Sequence, residues 1–432
     1  MFKLYYDTLP GQRLDQDILA LKNPEFEKGL WTKAGGQIHN FMSLLGIDYK
    51  WTNNPNDDDV LIIFEIDSAS ASTTEAILKY ASETYKKSIV VSPTEPPPAG
   101  LKLDNLAQKF PNVLYVCLGD YNVISILKNF ALFPFMTIRA LSTATNIEFH
   151  YRLSDCCNIK SNKPFMFNHL ANFWSFRKYH MHYTLKRYFT QTLNRRAMYS
   201  YKPIFWDEKD HNPRLEDNLH LLEHLKVWWR EVNNAAPVIA ELYPYDDYIN
   251  SADPDHKDHF KIERLKNDKR FDINNLNHPL PIYRDTHISV ISEVTKGRLE
   301  FTHNEDIAYS YITEKTIQPL LHGHLFIVNA PDKYSTSYLH AQLGFELYDE
   351  IFNYTDIEDI YVDNCADASE FLTAFKIVEQ LNNLRNQQIF DNAKILAEKI
   401  LYNKNMLTSP GSKLRKQLRE NFISILEKYR DL

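Results

Sequence analysis

The apolar positions of the first 150 residues fall into short continuous runs, separated by stretches of helical period. Val60-Leu61-Ile62-Ile63-Phe64 is apolar throughout and follows an acidic turn, which predicts a strand buried on both faces. Ser88 to Val91 and Val113 to Val116 repeat that pattern, and Phe2 to Tyr6 reads as an earlier strand. Between them the spacing predicts helices over Gln37 to Leu45, ended by Gly46, over Thr74 to Lys86, and over Asn105 to Phe110. Strands alternating with helices predict βαβ units around a parallel sheet.

The pattern changes near residues 150–163, a polar, cysteine-bearing stretch that reads as a linker. Phe165 to Asn168 opens a second α/β series, followed by a helix from about Ser175 to Phe189. Tyr199 to Leu280 is rich in Asn, Asp, Pro and aromatic residues and reads as an irregular insertion around one helix, Leu215 to Val232. Strands are predicted again at His287 to Ser292 and Leu325 to Val328, then helices at Ala368 to Asn382, Arg385 to Leu401 and Lys413 to Tyr429. The expected class is α/β with two Rossmann-like domains. Residues 1–158 form the first, and 159–384 the second, with an insertion at about 199–280; the helices of 385–432 pack back on the first.

Composition narrows the partners. A net charge of −7 argues against a broad nucleic-acid footprint. The four cysteines, Cys117, Cys156, Cys157 and Cys365, show no zinc-site spacing and fit a reducing, cytoplasmic setting. Met1 to Asp7 lacks the apolar core of a secretory signal. The longest apolar stretch, Val123 to Leu141, is broken by Lys128, Asn129, Pro134 and Arg139, so no membrane span is expected. Leu414, Leu418, Phe422, Ile425 and Leu426 form one stripe of the last helix, with Lys413, Arg415, Lys416 and Arg419 near its start. That predicts a packed amphipathic helix, peripheral contact with an anionic membrane being the competing reading.

The segment with most chemistry is Tyr311-Ile312-Thr313-Glu314-Lys315, leading through a helix ended by Gly323 into the strand Leu325 to Val328. Thr313 suits a helix N-cap, and a helix N-terminus offers unpaired N–H groups and a positive dipole end to a diphosphate. Lys315 adds a formal charge there, and Glu314 an acceptor for sugar or ribose hydroxyls. On residue types alone, a capped surface helix with a solvated acid and base is the reading to prefer, since Thr-Glu-Lys is common.

The extended pattern resembles the C-terminal domain of the α1,3-fucosyltransferase family and its phage and bacterial relatives. These carry a Tyr-Val-Thr-Glu-Lys block, a short helix and an apolar strand ending near a proline, here Pro331. Tyr338-Leu339-His340 and Leu343 to Tyr348 extend the likeness, which covers roughly residues 286–360. The resemblance implies a GT-B architecture, with two Rossmann-like domains facing across a cleft, the first for the acceptor and the second for the donor. It implies inverting, metal-independent transfer from a nucleotide-diphosphate sugar to a glycan or other hydroxyl acceptor, with no cofactor beyond the co-substrate. A GDP-fucose-like donor is the first expectation. By the same resemblance Glu314 holds the ribose, Lys315 the diphosphate, and Tyr311 packs nearby. One departure, Ser292-Glu293-Val294 where the family has Glu-Asn-Ser, leaves the donor base and sugar open.

Two further candidates follow. Arg177 enters the helix after the strand from Phe165, where relatives place an arginine; it is a bidentate phosphate ligand or a solvated helix residue, with Arg195 and Arg196 as fallbacks. Glu95, fixed among Pro93, Pro96, Pro97 and Pro98 after the strand Ser88 to Val91, is the candidate base for the acceptor hydroxyl, or an exposed acid on a rigid loop. Glu65 and Asp67 are its rivals and Asp120 a weaker one. No metal site is expected: the pairs His180/His182 and His322/His324 do not share a helix face, and Asp57-Asp58-Asp59 reads as a solvated turn. The alternatives are a non-catalytic glycan- or nucleotide-binding module on the same fold, and a sugar-nucleotide epimerase.

Overall fold

A computed structural model describes residues 2–7, 37–52, 54–56, 60–66, 70–92, 97–119, 127–135, 159, 162–171, 176–189, 196–201, 215–250, 281–293, 296–303, 305–330, 333–363 and 365–432. The described strands are β1 Phe2–Tyr6, β2 Tyr49–Trp51, β3 Val60–Glu65, β4 Ser88–Ser92, β5 Val113–Leu118 and β6 Phe130–Phe133. They continue as β7 Phe165–Ala171, β8 Arg196–Tyr201, β9 Thr286–Ser292, β10 Lys296–Leu299, β11 Ile307–Ser310 and β12 Leu325–Asn329. The chain divides into two compact units: Met1–Phe149 with Thr295–Ile317 and Asn405–Leu432, and His150–Val294 with Gln318–Lys404.

In the first unit six parallel strands lie in the order β2-β1-β3-β4-β5-β6. Every residue of β4 and β5 is buried, and all of β3 except Glu65, as continuous apolar runs demand of strands covered on both faces. The strand order reverses beside β1, so the carboxyl ends of β1 and β3 border a crevice of the doubly wound kind. The predicted helices appear at Gln37–Leu44, Ala71–Thr84 and Leu103–Lys109.

Residues 295–317, expected in the second domain, group instead with the first unit. The antiparallel pair β10–β11 is tied there by a parallel bridge between Lys102 and Glu300 and by an ion pair of 3.1 Å between the same two side chains. The Asp104 carboxylate accepts from Thr302 N at 2.9 Å, Thr302 Oγ1 at 3.1 Å and His303 N at 3.3 Å. Burial alone would push the Asp104 carboxyl up, but these bonds and one from Asn105 N outweigh it and hold the pKa below the ordinary value. Gly119, just after β5, sits where a Cβ would come within 2.6 Å of Tyr309 Cε2 and 2.9 Å of Leu132 Cδ2, so a side chain there would displace those two side chains.

The last helix, Lys413–Arg430, also belongs to the first unit. Ser412 caps it, accepting from Arg415 N at 3.1 Å. Its stripe of Leu414, Leu418, Phe422, Ile425, Leu426 and Tyr429 is buried, with Phe422 5.0 Å from Phe133 between ring centres. The Tyr429 hydroxyl donates to Val60 O at 2.6 Å. Residues 385–404, expected with this helix, group with the second unit, and the predicted helix Arg385 to Leu401 divides into Asn386–Asp391 and Ala393–Thr408. No helix among the described residues is long and apolar enough to cross a membrane.

Among the described residues the second unit has four parallel strands in the order β12-β9-β7-β8, again reversing beside the strand that comes first in sequence. β8 lies at the start of the stretch read as irregular, which also holds helices at Leu215–Ala235, Val238–Leu242 and Tyr245–Asn250. These pack with the helices Phe176–Tyr188 and Ala366–Asn383 through a buried aromatic cluster containing Tyr179, Tyr183, Tyr243, Tyr248 and Phe371. His180 is part of that cluster, 4.5 Å from Trp228 between ring centres, so its burial is a packing feature. A polar seam crosses the sheet: Asn168 Nδ2 donates to Thr286 Oγ1 at 2.8 Å and Ser289 Oγ at 3.1 Å. His324 completes it. Its Nε2 donates to Thr286 O at 2.8 Å, which fixes the neutral tautomer with Nδ1 accepting from Ser289 Oγ at 3.0 Å.

Candidate functional site

The helix Glu314–His322 begins where the sequence predicts. Thr313 is buried, and its Oγ1 accepts from Lys315 N at 3.3 Å, the bond of an N-cap to the second helical residue. Lys315 Nζ folds back to within 3.4 Å of the same oxygen, which brings the ammonium to the helix's amino end. Pro319 lies inside the helix and has no N–H to offer the Lys315 carbonyl. At the other end Gly323, with φ +61°, closes the helix, and His324 N donates to Pro319 O at 2.8 Å. The chain then runs directly into β12.

Tyr311 is 4% exposed, its ring centre 6.1 Å from that of Tyr309. Tyr311, Thr313 and Lys315 are thus held together locally, two of them buried and the lysine half-buried. The backbone of Glu314 is the first helical residue, while its side chain lies outside the described residues. Arg177 is the second residue of the helix that follows β7 in the second unit, and its side chain too lies outside the description. Glu95, Asp67, Asp120, Arg195 and Asp57 to Asp59 fall outside the described residues; Arg196 is described by its backbone, in β8.

Glu65, a rival for the base, is committed elsewhere. It ends β3, and its Oε1 accepts from Ile38 N at 2.9 Å in the first turn of the helix Gln37–Leu44. A carboxylate so placed serves as that helix's anion. The Tyr6 hydroxyl lies beside it and accepts from His39 N at 3.2 Å; burial, then the neighbouring Glu65 charge, pushes the phenol well above its ordinary pKa.

Sequence reasoning placed candidate acids after the strands of the first unit but missed the other side chains at the carboxyl ends of both sheets. In the first unit Tyr6, His39, Tyr49 and Trp51 form a contiguous aromatic group that reaches this edge. In the second, His169 Nε2 meets Ser292 Oγ at 3.1 Å across β7 and β9, and Asn329, at the end of β12, pairs in register with Ser292. Burial, then the charge of Lys178, lowers the His169 pKa to about 3, so the ring is neutral. His169 Nδ1 and both amide atoms of Asn329 are buried without a hydrogen-bond partner. The available signal was positional: Tyr6, Ser292 and Asn329 each end an apolar run. Among the described residues no group of three or more His, Cys, Asp or Glu is disposed to hold a metal ion.

Compared with protein-family models, curated proteins and solved structures, the chain matches none.

Proposed function

We propose that the chain is a glycosyltransferase that moves a sugar from a nucleotide-diphosphate sugar to a hydroxyl acceptor, with inversion and without a metal. The observation that carries this is the amino end of the helix Glu314–His322, where the Thr313 cap and the Lys315 ammonium stand together. Backbone N–H groups, the helix dipole and one lysine form a cation-like cradle for a diphosphate. Two Rossmann-like sheets, each with its strand order reversing beside its first strand, fit a two-domain nucleotide-sugar enzyme.

In this reading the acceptor hydroxyl gives its proton to a carboxylate, for which Glu95 is the candidate, as its oxygen attacks the anomeric carbon. The bond from that carbon to the diphosphate oxygen breaks on the opposite face. The leaving diphosphate takes the electron pair, and Lys315 and the helix N–H groups offset its charge; Arg177 stays a phosphate ligand by the family resemblance alone. Glu314 holds the ribose and Tyr311 packs beside it. A GDP-fucose-like donor is the first to try.

A thermal-shift screen over GDP, UDP, ADP, CDP and dTDP tests the donor half of the reading. A ligand that binds only the folded state raises the melting temperature by mass action. We expect one nucleoside diphosphate to stabilise the protein in EDTA; no shift with any of them would remove the assignment.

A further inference from the structure

Outside the lysine-bearing helix, the carboxyl edge of the first unit's sheet carries a second feature. Trp51 ends the edge strand β2, pairing in parallel with Leu4. It is 38% exposed, although three rings back it. The ring centres of His39, Tyr6 and Tyr49 lie 5.1, 5.5 and 5.9 Å from that of Trp51. His39 and Tyr6 are themselves buried, and His39 N donates to the Tyr6 hydroxyl. The indole is therefore packed against three rings and still presents part of its surface to solvent.

A single exposed apolar side chain needs no explanation, and edge strands are commonly blunted by lysine, proline or charge. Trp51 is different in kind. It belongs to a four-ring group that reaches the carboxyl ends of β1 and β2 through Tyr6 and Trp51, while Tyr49 opens β2 opposite Phe2; doubly wound sheets meet their ligands at the carboxyl edge. The chain leaves β4 at Ser92 on this same edge, three residues before Glu95 in sequence. His39 Nδ1, beside the indole, is buried and has no hydrogen-bond partner. The neighbouring Tyr49 ring carries a hydroxyl 3.2 Å from Ser43 Oγ, and Thr52 follows Trp51 directly in the chain.

We infer that Trp51 is a saccharide platform, on which a neutral pyranose ring of the acceptor stacks its apolar C–H face while its hydroxyls reach the polar rim. Stacking on a rigid indole with polar groups at its border suits a ligand that has one apolar face and a polar perimeter. The role as acceptor subsite rests on the transfer reading; the binding of a sugar does not. Tyr6 and His39 are positioning residues for the indole.

The test is saturation-transfer difference NMR on the full chain with lactose, N-acetyllactosamine, cellobiose and maltose, without nucleotide. We expect at least one of them to receive saturation on the ring protons of one face. The signal should fall to background in Trp51→Ala and persist in Trp51→Phe, with circular dichroism and melting temperature reporting the fold of both. Absence of transfer to all four sugars, or a signal that survives Trp51→Ala, would overturn the platform. A Trp51-dependent signal in a protein that turns over no nucleotide-sugar would leave the platform standing and remove the transfer reading.

Discussion

Lys315 Nζ lies 3.4 Å from Thr313 Oγ1, the same hydroxyl that accepts the Lys315 backbone N–H. One threonine therefore both starts the helix and steers the lysine's charge toward the helix's amino end. Replacing Lys315 with Ala should leave the fold intact and weaken nucleoside-diphosphate binding by about 1.5–3 kcal/mol, the value of a charge-assisted hydrogen bond. Titration calorimetry reads it directly, and unchanged affinity in a folded variant would take Lys315 out of the site.

Thr313→Ala should cost about 1 kcal/mol of stability through loss of the cap, and Thr313→Ser should restore most of it. Urea unfolding of the three proteins checks the order. Equal stabilities would mean the Thr313 hydroxyl contributes nothing to the helix start.

Much of this was legible and some was not, for physical reasons. β3, β4 and β5 are readable because a strand covered on both faces must be apolar throughout. The Thr313 cap is readable because capping is local. β2 is three residues long, too short to show a period, so Trp51 passed unnoticed. The nine-residue π-helix Tyr334–Gln342 follows a spacing that a 3.6-residue search does not seek. The clamp of Asp104 on Thr302 joins residues 198 apart, a long-range pairing to which the sequence has no pointer. That clamp moved residues 295–317 from the expected second domain to the first unit.

Because the Asp104 pKa is held below its ordinary value, the carboxylate stabilises the fold above the unfolded pKa of about 3.9. Its contribution is lost as pH falls through the lower, folded value. Asp104→Asn should therefore be less stable than the parent at pH 7, and the gap should narrow below about pH 4. Denaturant unfolding across pH 3 to 7 measures it; a gap independent of pH would show that the ionised form is not what matters.

Deleting the chain after Ser412 should lower the melting temperature sharply, since the last helix buries six side chains of one stripe. Tyr429→Phe removes only the hydroxyl, which donates to Val60 O at 2.6 Å and Lys87 O at 3.3 Å and accepts from Ile62 N at 3.4 Å, at a cost of about 1–3 kcal/mol. If the truncated chain kept its melting temperature and instead lost binding to anionic liposomes, the helix would be a membrane contact.

The most direct test of glycosyl transfer is nucleotide release by the full chain. Purified protein is incubated in EDTA with GDP-fucose, other GDP-sugars and a UDP-sugar panel, with and without the saccharides used for Trp51, and nucleoside diphosphate and glycosylated product are quantified by mass spectrometry. We expect release that requires acceptor, matches product mole for mole, survives EDTA and drops in Lys315→Ala. Donor binding without turnover on any acceptor, or turnover that appears only when Mg²⁺ or Mn²⁺ is restored, would contradict the transfer reading.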